Sequence, residues 1–251
     1  YGLVGSEMCI RDRNDTSRFA ALVVGLGIAV AGWFIGHGFI EGRVSARVVT
    51  VKGVSERDVP ANLAFWPIRF VATANDLEAA QTGVKKSHEA VLSFLKRKGI
   101  DPSLAEVQQV QVTDRLAEYR SDPQQTRYVI NETVMVRSEE PGKVEAASQA
   151  VGELIDAGVV LSQGGYGGGP TYLFTNLTDL KPEMIAEATA NARRAAEQFA
   201  KDSGSRIGKI RNANQGVFQI LARDRAEGIS EGSQLNKTVR VVSTIEYYLD
   251  D

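Results

Sequence analysis

The sequence predicts an α+β domain of antiparallel sheets with about three packed helices, preceded by one apolar N-terminal helix. Three observations predict it. Segments rich in β-branched and aromatic residues come in pairs, the mark of hairpin-like antiparallel strands. Stretches with apolar residues at steps of three and four separate those pairs, as packed helices would. One uncharged run, residues 19–36, precedes a long remainder of mixed and charged composition.

The uncharged run begins the justification. With its continuation to Ile40 it covers 22 residues. A helix of that length rises about 33 Å, enough for a hydrocarbon core of about 30 Å. Arg18 flanks it on the N-terminal side, and Trp33, Phe34 and Phe39 gather at the far end. The positive-inside rule keeps the N-terminus cytoplasmic and carries the rest across. The chain therefore divides into a short cytoplasmic tail (1–18), a transmembrane signal anchor (19–41) and an exported domain (42–251). A rival reading is a signal peptide cleaved after Ala31, at the small-residue site "AVA". Gly25, Ala29, Gly32 and Gly36 share one helix face, and Gly32-x-x-x-Gly36 permits close packing of two such helices. The first thirteen residues, "YGLVGSEMCIRDR", show no periodicity and resemble translated adapter read-through. They are expected to be non-native, and nothing is built on Cys9.

After a short linker, "ARVVTVKGVSERDV" and "NLAFWPIRFVATA" read as two strands around a turn at residues 60–62. Pro67 has no N–H for a ladder, so the second strand lies at an edge or carries a bulge there. Residues 75–98 form a helix, with Asn75 and Glu78 as a capping-box start and Gly99 then Pro102 as stops. Its buried stripe is Leu77, Ala80, Val84, His88, Val91 and Leu95. Strands near 105–119 and 126–138 follow, then a helix over 141–157 with Val144, Ala147, Val151 and Leu154 inward. Residues 159–163 and 171–176 read as short strands. A third helix, 179–203, has Ile185, Ala188, Ala192, Ala195 and Phe199 inward; its alanines let a sheet approach closely. Strands near 206–222 and 236–249 end the chain. In the last, Val239, Val241, Ile245, Tyr247 and Leu249 alternate with polar residues, the pattern of a half-buried strand. The polar segment 222–237 reads as a mobile arm or contact loop.

Composition excludes more than it assigns. Net charge is -2, so no strong field draws nucleic acid, and basic runs with interleaved aromatics are missing. The single cysteine forbids an internal disulfide. "GISEG", residues 228–232, fits G-x-S-x-G, but a strand follows Ser230 rather than a helix, and both histidines lie upstream. "GGYGGGP", residues 164–170, lacks the Lys-Ser/Thr and the helix of a phosphate loop. It reads as a turn at the sheet rim where Tyr166, Gly168 and Tyr172 could make contacts, with Arg223 and Arg225 on the neighbouring arm. His88 falls on an apolar stripe with no metal-ligating neighbour, His37 lies at the membrane boundary, and Glu183 and Glu187 mark a solvated helix face. The sequons at Asn131, Asn176 and Asn236 are taken as chance. No catalytic, cofactor or metal residue is expected.

Three stretches carry a family likeness: "VTVKGVSERDVPANLAFWPIRFVATANDL" (49–77), "KPEMIAEATANARRAAEQFAKDSGSRIGKI" (181–210) and "TVRVVSTIEYYL" (238–249). They resemble the SIMPL-domain family of bacterial periplasmic and outer-membrane immunogenic proteins, in its membrane-anchored branch. The resemblance implies an α+β fold, location at the inner membrane with the domain in the periplasm, and ring- or cage-like homo-oligomers. It also implies a link to oxidative or envelope stress tolerance. The family has no established catalytic residues, so none carries over. The expectation is a non-enzymatic anchored protein whose partners are itself and the membrane. The competing reading is a hydrolase or ligand-binding enzyme using loop 164–170 and Ser230.

Overall fold

The structure, a computed structural model, describes residues 13–43, 47–117, 125–162 and 168–250, except for the side chains of 13–19 and 37–43. A long helix, α1 (Arg13–Arg43), comes first. Then follow β1 (Val48–Pro60), β2 (Leu63–Ala74), α2 (Leu77–Arg97), β3 (Ala105–Asp114) and β4 (Tyr128–Ser138). Next are α3 (Pro141–Gln149), α4 (Gly152–Asp156), β5 (Val160–Leu161), β6 (Thr171–Leu173) and α5 (Leu177–Asp202). β7 (Arg206–Gln215), β8 (Gln219–Ala222) and β9 (Asn236–Asp250) complete the chain. The α+β class and the antiparallel sheets are as the sequence predicts, with five α-helices among the described residues.

The strands form two sheets. In one, β9 lies between β1 and β7, and β8 also pairs with β9. In the other the order is β3-β4-β2-β5, with β6 pairing β2. Every pairing among the described residues is antiparallel. β2 is not the edge strand that Pro67 suggested, and no bulge marks its pairing with β4. One side of β2 pairs with β4 over 64–74; among the described residues the other side pairs at 63–65 and 70–71, and Pro67 falls between those two pairings.

The chain passes between sheets at the predicted turn. Asn62 ties that corner: its Nδ2 donates to Thr175 Oγ1 (2.8 Å) and Asn176 Oδ1 (3.0 Å), and its Oδ1 accepts from Thr175 N (2.8 Å). One residue therefore fixes the start of α5 against the bend between β1 and β2.

Each sheet is packed by helices on one face. α5 lies on the first, where Val49, Val51, Val239, Val241, Ile245 and Tyr247 meet Met184, Ala188, Ala192 and Ala196. The inward face of α5 differs from the predicted one by one position: Met184, Ala188, Ala192, Ala196 and Ala200 are buried, while Ala195 and Phe199 are exposed. Close approach selects the smallest side chains, not the most apolar. A Cβ placed on Gly53 of β1 would stand 1.8 Å from Ala188 O, so helix and strand meet backbone to backbone. Across the other sheet, α2 buries Ala80, Val84, Ser87, Val91, Phe94 and Leu95. Trp66 meets Phe94 edge to face at 6.4 Å. Burying each such ring contributes about 1.5–3 kcal/mol. Leu77, placed in the buried stripe by spacing, is exposed. Asp76, not Asn75, caps α2, its Oδ2 accepting from Ala79 N at 3.0 Å. Asn75 instead accepts from Arg127 N at 3.2 Å. The predicted helix over 141–157 is two helices, α3 and α4, with Val144, Ala147 and Leu154 buried.

Candidate functional site

Polar groups forced inward by strand alternation are the first place to look for chemistry. In β4, Ile130, Glu132, Val134 and Val136 share the face beneath α2 and are all buried. Glu132 is thus a carboxylate in an apolar row, with its side chain 7% exposed. Its partner is His88 of α2, whose Nδ1 lies 2.5 Å from Glu132 Oε1. Burial of a carboxylate demands such a partner. His88 was legible as a core histidine with one nitrogen satisfied; Glu132 was missed, although its parity with Val134 and Val136 marks it as inward. The pair can hold or pass a proton. Among the described residues, however, no hydroxyl or thiol is hydrogen-bonded to His88.

β9 carries the second case. Residues 237, 239 and 241 have the same parity, so Lys237 points inward and is fully buried. Its Nζ donates to the carbonyl of Glu231 and lies 2.7 Å from Glu231 Oε1. Extending the predicted alternation of β9 back by two residues from Val239 would have found it. The ion pair clamps a 3-10 turn, Glu231–Ser233, against the sheet. Gln234 adds a clasp: its Oε1 accepts from Asp224 N (3.1 Å) and its Nε2 donates to Asp224 O (2.6 Å). The segment expected to be a mobile arm or contact loop is thus tied down at Glu231 and closed on itself through Gln234 and Asp224, while 223–230 are exposed.

The predicted contact residues differ in exposure. Tyr172 is buried at 4% exposure, a correction to its expected contact role. The pleat of β6 turns it into the core while Thr171 faces outward. Burial, then the nearby Glu145 carboxylate, hold its phenol above the usual tyrosine range, against a hydrogen bond with Ser148. Gly168 is exposed, and Tyr166 lies outside the described residues. Arg223 pairs with Asp224 at 2.9 Å, and Arg225 is exposed. Ser230 is the N-cap residue of the 3-10 turn. Only its carbonyl is engaged among the described residues, accepting from Ser233 Oγ at 2.9 Å. Also among these residues, no cluster of three His, Cys, Asp or Glu could hold a metal.

Two apolar surfaces remain. On α1, residues 20–35 are exposed all round, including Leu22, Leu26, Ile28, Trp33, Phe34 and Ile35. That excludes burial of this helix against the sheets. No helix among the described residues is long and apolar enough to cross a membrane. The described side chains of α1, 20–36, span about 26 Å against a core of about 30 Å. Gly25, Gly32 and Gly36 have nothing within 4 Å of a Cβ position, so their face is open; Ala29 between them is exposed. The second surface lies on β3 and β7, which are exposed along most of their length.

Fold and surface together define an α+β domain of two antiparallel sheets, each backed by helices, behind an exposed apolar helix. The chain belongs to the SIMPL family, described as a protein of unknown function (DUF541), whose model matches residues 49–247. The match begins in β1 and ends in β9, so it takes in both sheets. No curated protein matches the sequence.

Proposed function

We propose that this protein is a non-enzymatic, membrane-anchored envelope protein whose sheet domain stands outside the membrane and assembles with copies of itself. The observation that carries the reading is the row of large apolar side chains exposed around α1. An exposed apolar surface of that size needs a cover, and the sequence continues it without charge to Ile40. A bilayer is the cover that suits a helix apolar on every side. Arg18 before the run supports the orientation with the domain exported. Family membership and the open face at Gly25, Gly32 and Gly36 support self-association. A role in oxidative or envelope stress tolerance is the physiological setting that the family likeness favours.

The test is extraction of membranes from cells expressing the full chain. Retention through alkaline carbonate, release by detergent and protease access to the domain only from the periplasmic side are the expected results. Release by carbonate with an N-terminus at Gly32 would replace the anchor with the cleaved-signal alternative. Serine-directed probe labelling that disappears in Ser230→Ala would overturn the non-enzymatic assignment.

A further inference from the structure

The two sheets end in strands of a particular kind. β3 and β7 are each ten residues long and are outermost in their sheets, hydrogen-bonded on one side only among the described residues. α5 reaches β7 at Ile207, but most of both strands is exposed. On β3, Val107, Val110 and Val112 face the side occupied by α2 yet are about half exposed, because α2 covers β2 and β4 only. On β7, Ile210 is 51% exposed. The other sheet margins differ. β5 and β6 are two and three residues long; β1 also has a free edge, but its apolar face is sealed by α5 and it carries both signs of charge, Lys52 and Arg57 with Glu56 and Asp58.

The charges on these two strands are opposite. β3 carries Glu106 and Asp114 and no cation; β7 carries Arg206, Lys209 and Arg211 and no anion. Asp114 is held by Arg127 at 3.0 Å and Arg211 by Glu246 at 3.1 Å. Glu106 and Lys209 have no ion-pair partner among the described residues, and Arg206 is engaged elsewhere. An open strand edge with exposed valines is a template for another strand. Pairing β3 with β3, or β7 with β7, would set like charges together; pairing β3 with β7 sets Glu106 against a cationic strand.

We propose that copies of this chain join head to tail, the free edge of β3 in one copy pairing with the free edge of β7 in the next. This rests on the self-assembly reading above and names its interface. A parallel pairing that sets 109–112 against 212–215, the regular stretches beyond the register irregularities at Val107/Gln109, Ile207/Ile210 and Ile210/Asn212, brings Glu106 opposite Lys209. The contact is heterologous, so it closes into a ring or runs on as a filament, and it does not make a two-fold dimer.

The experiment uses the full chain in mild detergent, sized by light scattering at micromolar concentration. Glu106→Lys and Lys209→Glu are both at exposed positions, and circular dichroism checks that each remains folded. Each alone is expected to raise the assembly's dissociation constant at least tenfold. Mixing the two variants is expected to restore assembly, because each reversed edge then meets a complementary one. A chain carrying both changes is also expected to assemble. If wild type and both single variants form particles of the same size, the β3–β7 pairing is overturned while self-assembly stands. If both variants dissociate but the mixture does not recover, the pairing is likewise overturned. A monomeric wild type would remove the assembly reading itself.

Discussion

Gly53 sets the distance between α5 and its sheet, and Gly53→Ala measures what that distance is worth. The added Cβ would lie 1.8 Å from Ala188 O and 2.5 Å from Ala192 N. Real Cβ contacts are essentially never below 3.0 Å, so α5 must retreat by 3.0 − 1.8 = 1.2 Å at this point. Both obstacles are backbone atoms, which no rotamer change can move aside. Forcing extra volume into a packed layer costs about 1–3 kcal/mol. A gap near 1 Å also forfeits up to about half of each dispersion contact it opens, here those of Ala188 and Ala192. Two hydrogen bonds beside the contact are strained as well: Ser55 Oγ to Glu187 Oε2 at 2.8 Å and Asn191 Nδ2 to Val54 O at 2.7 Å. Each contributes about 1 kcal/mol. The sum is about 3–5 kcal/mol, a large part of a typical domain stability of about 5–15 kcal/mol. Urea unfolding of the full chain in mild detergent, followed by circular dichroism, is the assay. With a slope of about 2–3 kcal/mol per molar, the midpoint falls by about 1–2 M. Gly142→Ala is the control: it lies in α3 with nothing within 4 Å of its Cβ position, and it is expected to stabilise by about 0.5–1 kcal/mol. A Gly53→Ala midpoint within error of wild type would refute the backbone-to-backbone packing.

Other substitutions probe the buried polar groups. His88→Ala leaves Glu132 buried without its partner, and thermal denaturation is expected to show a loss of about 3 kcal/mol. Replacing both residues by leucine is expected to lose less than His88→Ala alone. Ser243 Oγ is buried with no hydrogen-bond partner among the described residues, so Ser243→Ala is expected to be neutral or to stabilise by up to about 1 kcal/mol in the same assay. Burial raises the phenol pKa of Tyr172 and of Tyr247 above the usual 10.0. The folded state thus keeps protons that the unfolded state releases, so stability is intact below about pH 10 and falls as pH rises through the folded values. Phenolate absorbance is expected to show a late-titrating fraction that shrinks in Tyr172→Phe.

The local features of this fold were legible because they depend on neighbours in sequence. The alternation of β9, the turn at Asn62 and the stop at Gly204, which adopts φ +68, are of that kind. Features set by distant partners were not. Phe199 reads as inward because it is apolar, yet the place beside Gly53 admits only alanine, and Phe199 is 63% exposed. Strand parity takes Glu132 and Lys237 inside, which their charge alone does not show. The valines of β3 likewise do not show that the strand is left exposed. Which strand a helix covers is decided by where that helix crosses the sheet, and no residue of β3 records this. Tyr172 was misplaced for a similar reason: it belongs to a strand whose pairing with β2 fixes the direction of its side chain.

The domain's buried polar groups and its open edges answer different demands. His88 with Glu132 and Lys237 with Glu231 satisfy charges that strand parity drives inside, and both pairs tie neighbouring elements together. The exposed β3 and β7 are the reverse, since the main-chain groups along their outer edges and the valines of β3 are left open among the described residues. For an isolated soluble chain, long open edges of this kind would favour indiscriminate strand addition. Register breaks in both strands and the single-sign charge on each restrict what can be added. If α1 lies in a bilayer, the anchor restricts it further, because copies then approach upright and at high effective concentration. Under those conditions a few hydrogen bonds and one charge contrast per junction are enough for ordered assembly. The same contacts hold the solubilised chain together at micromolar concentration, and tethering lowers the concentration at which the array forms.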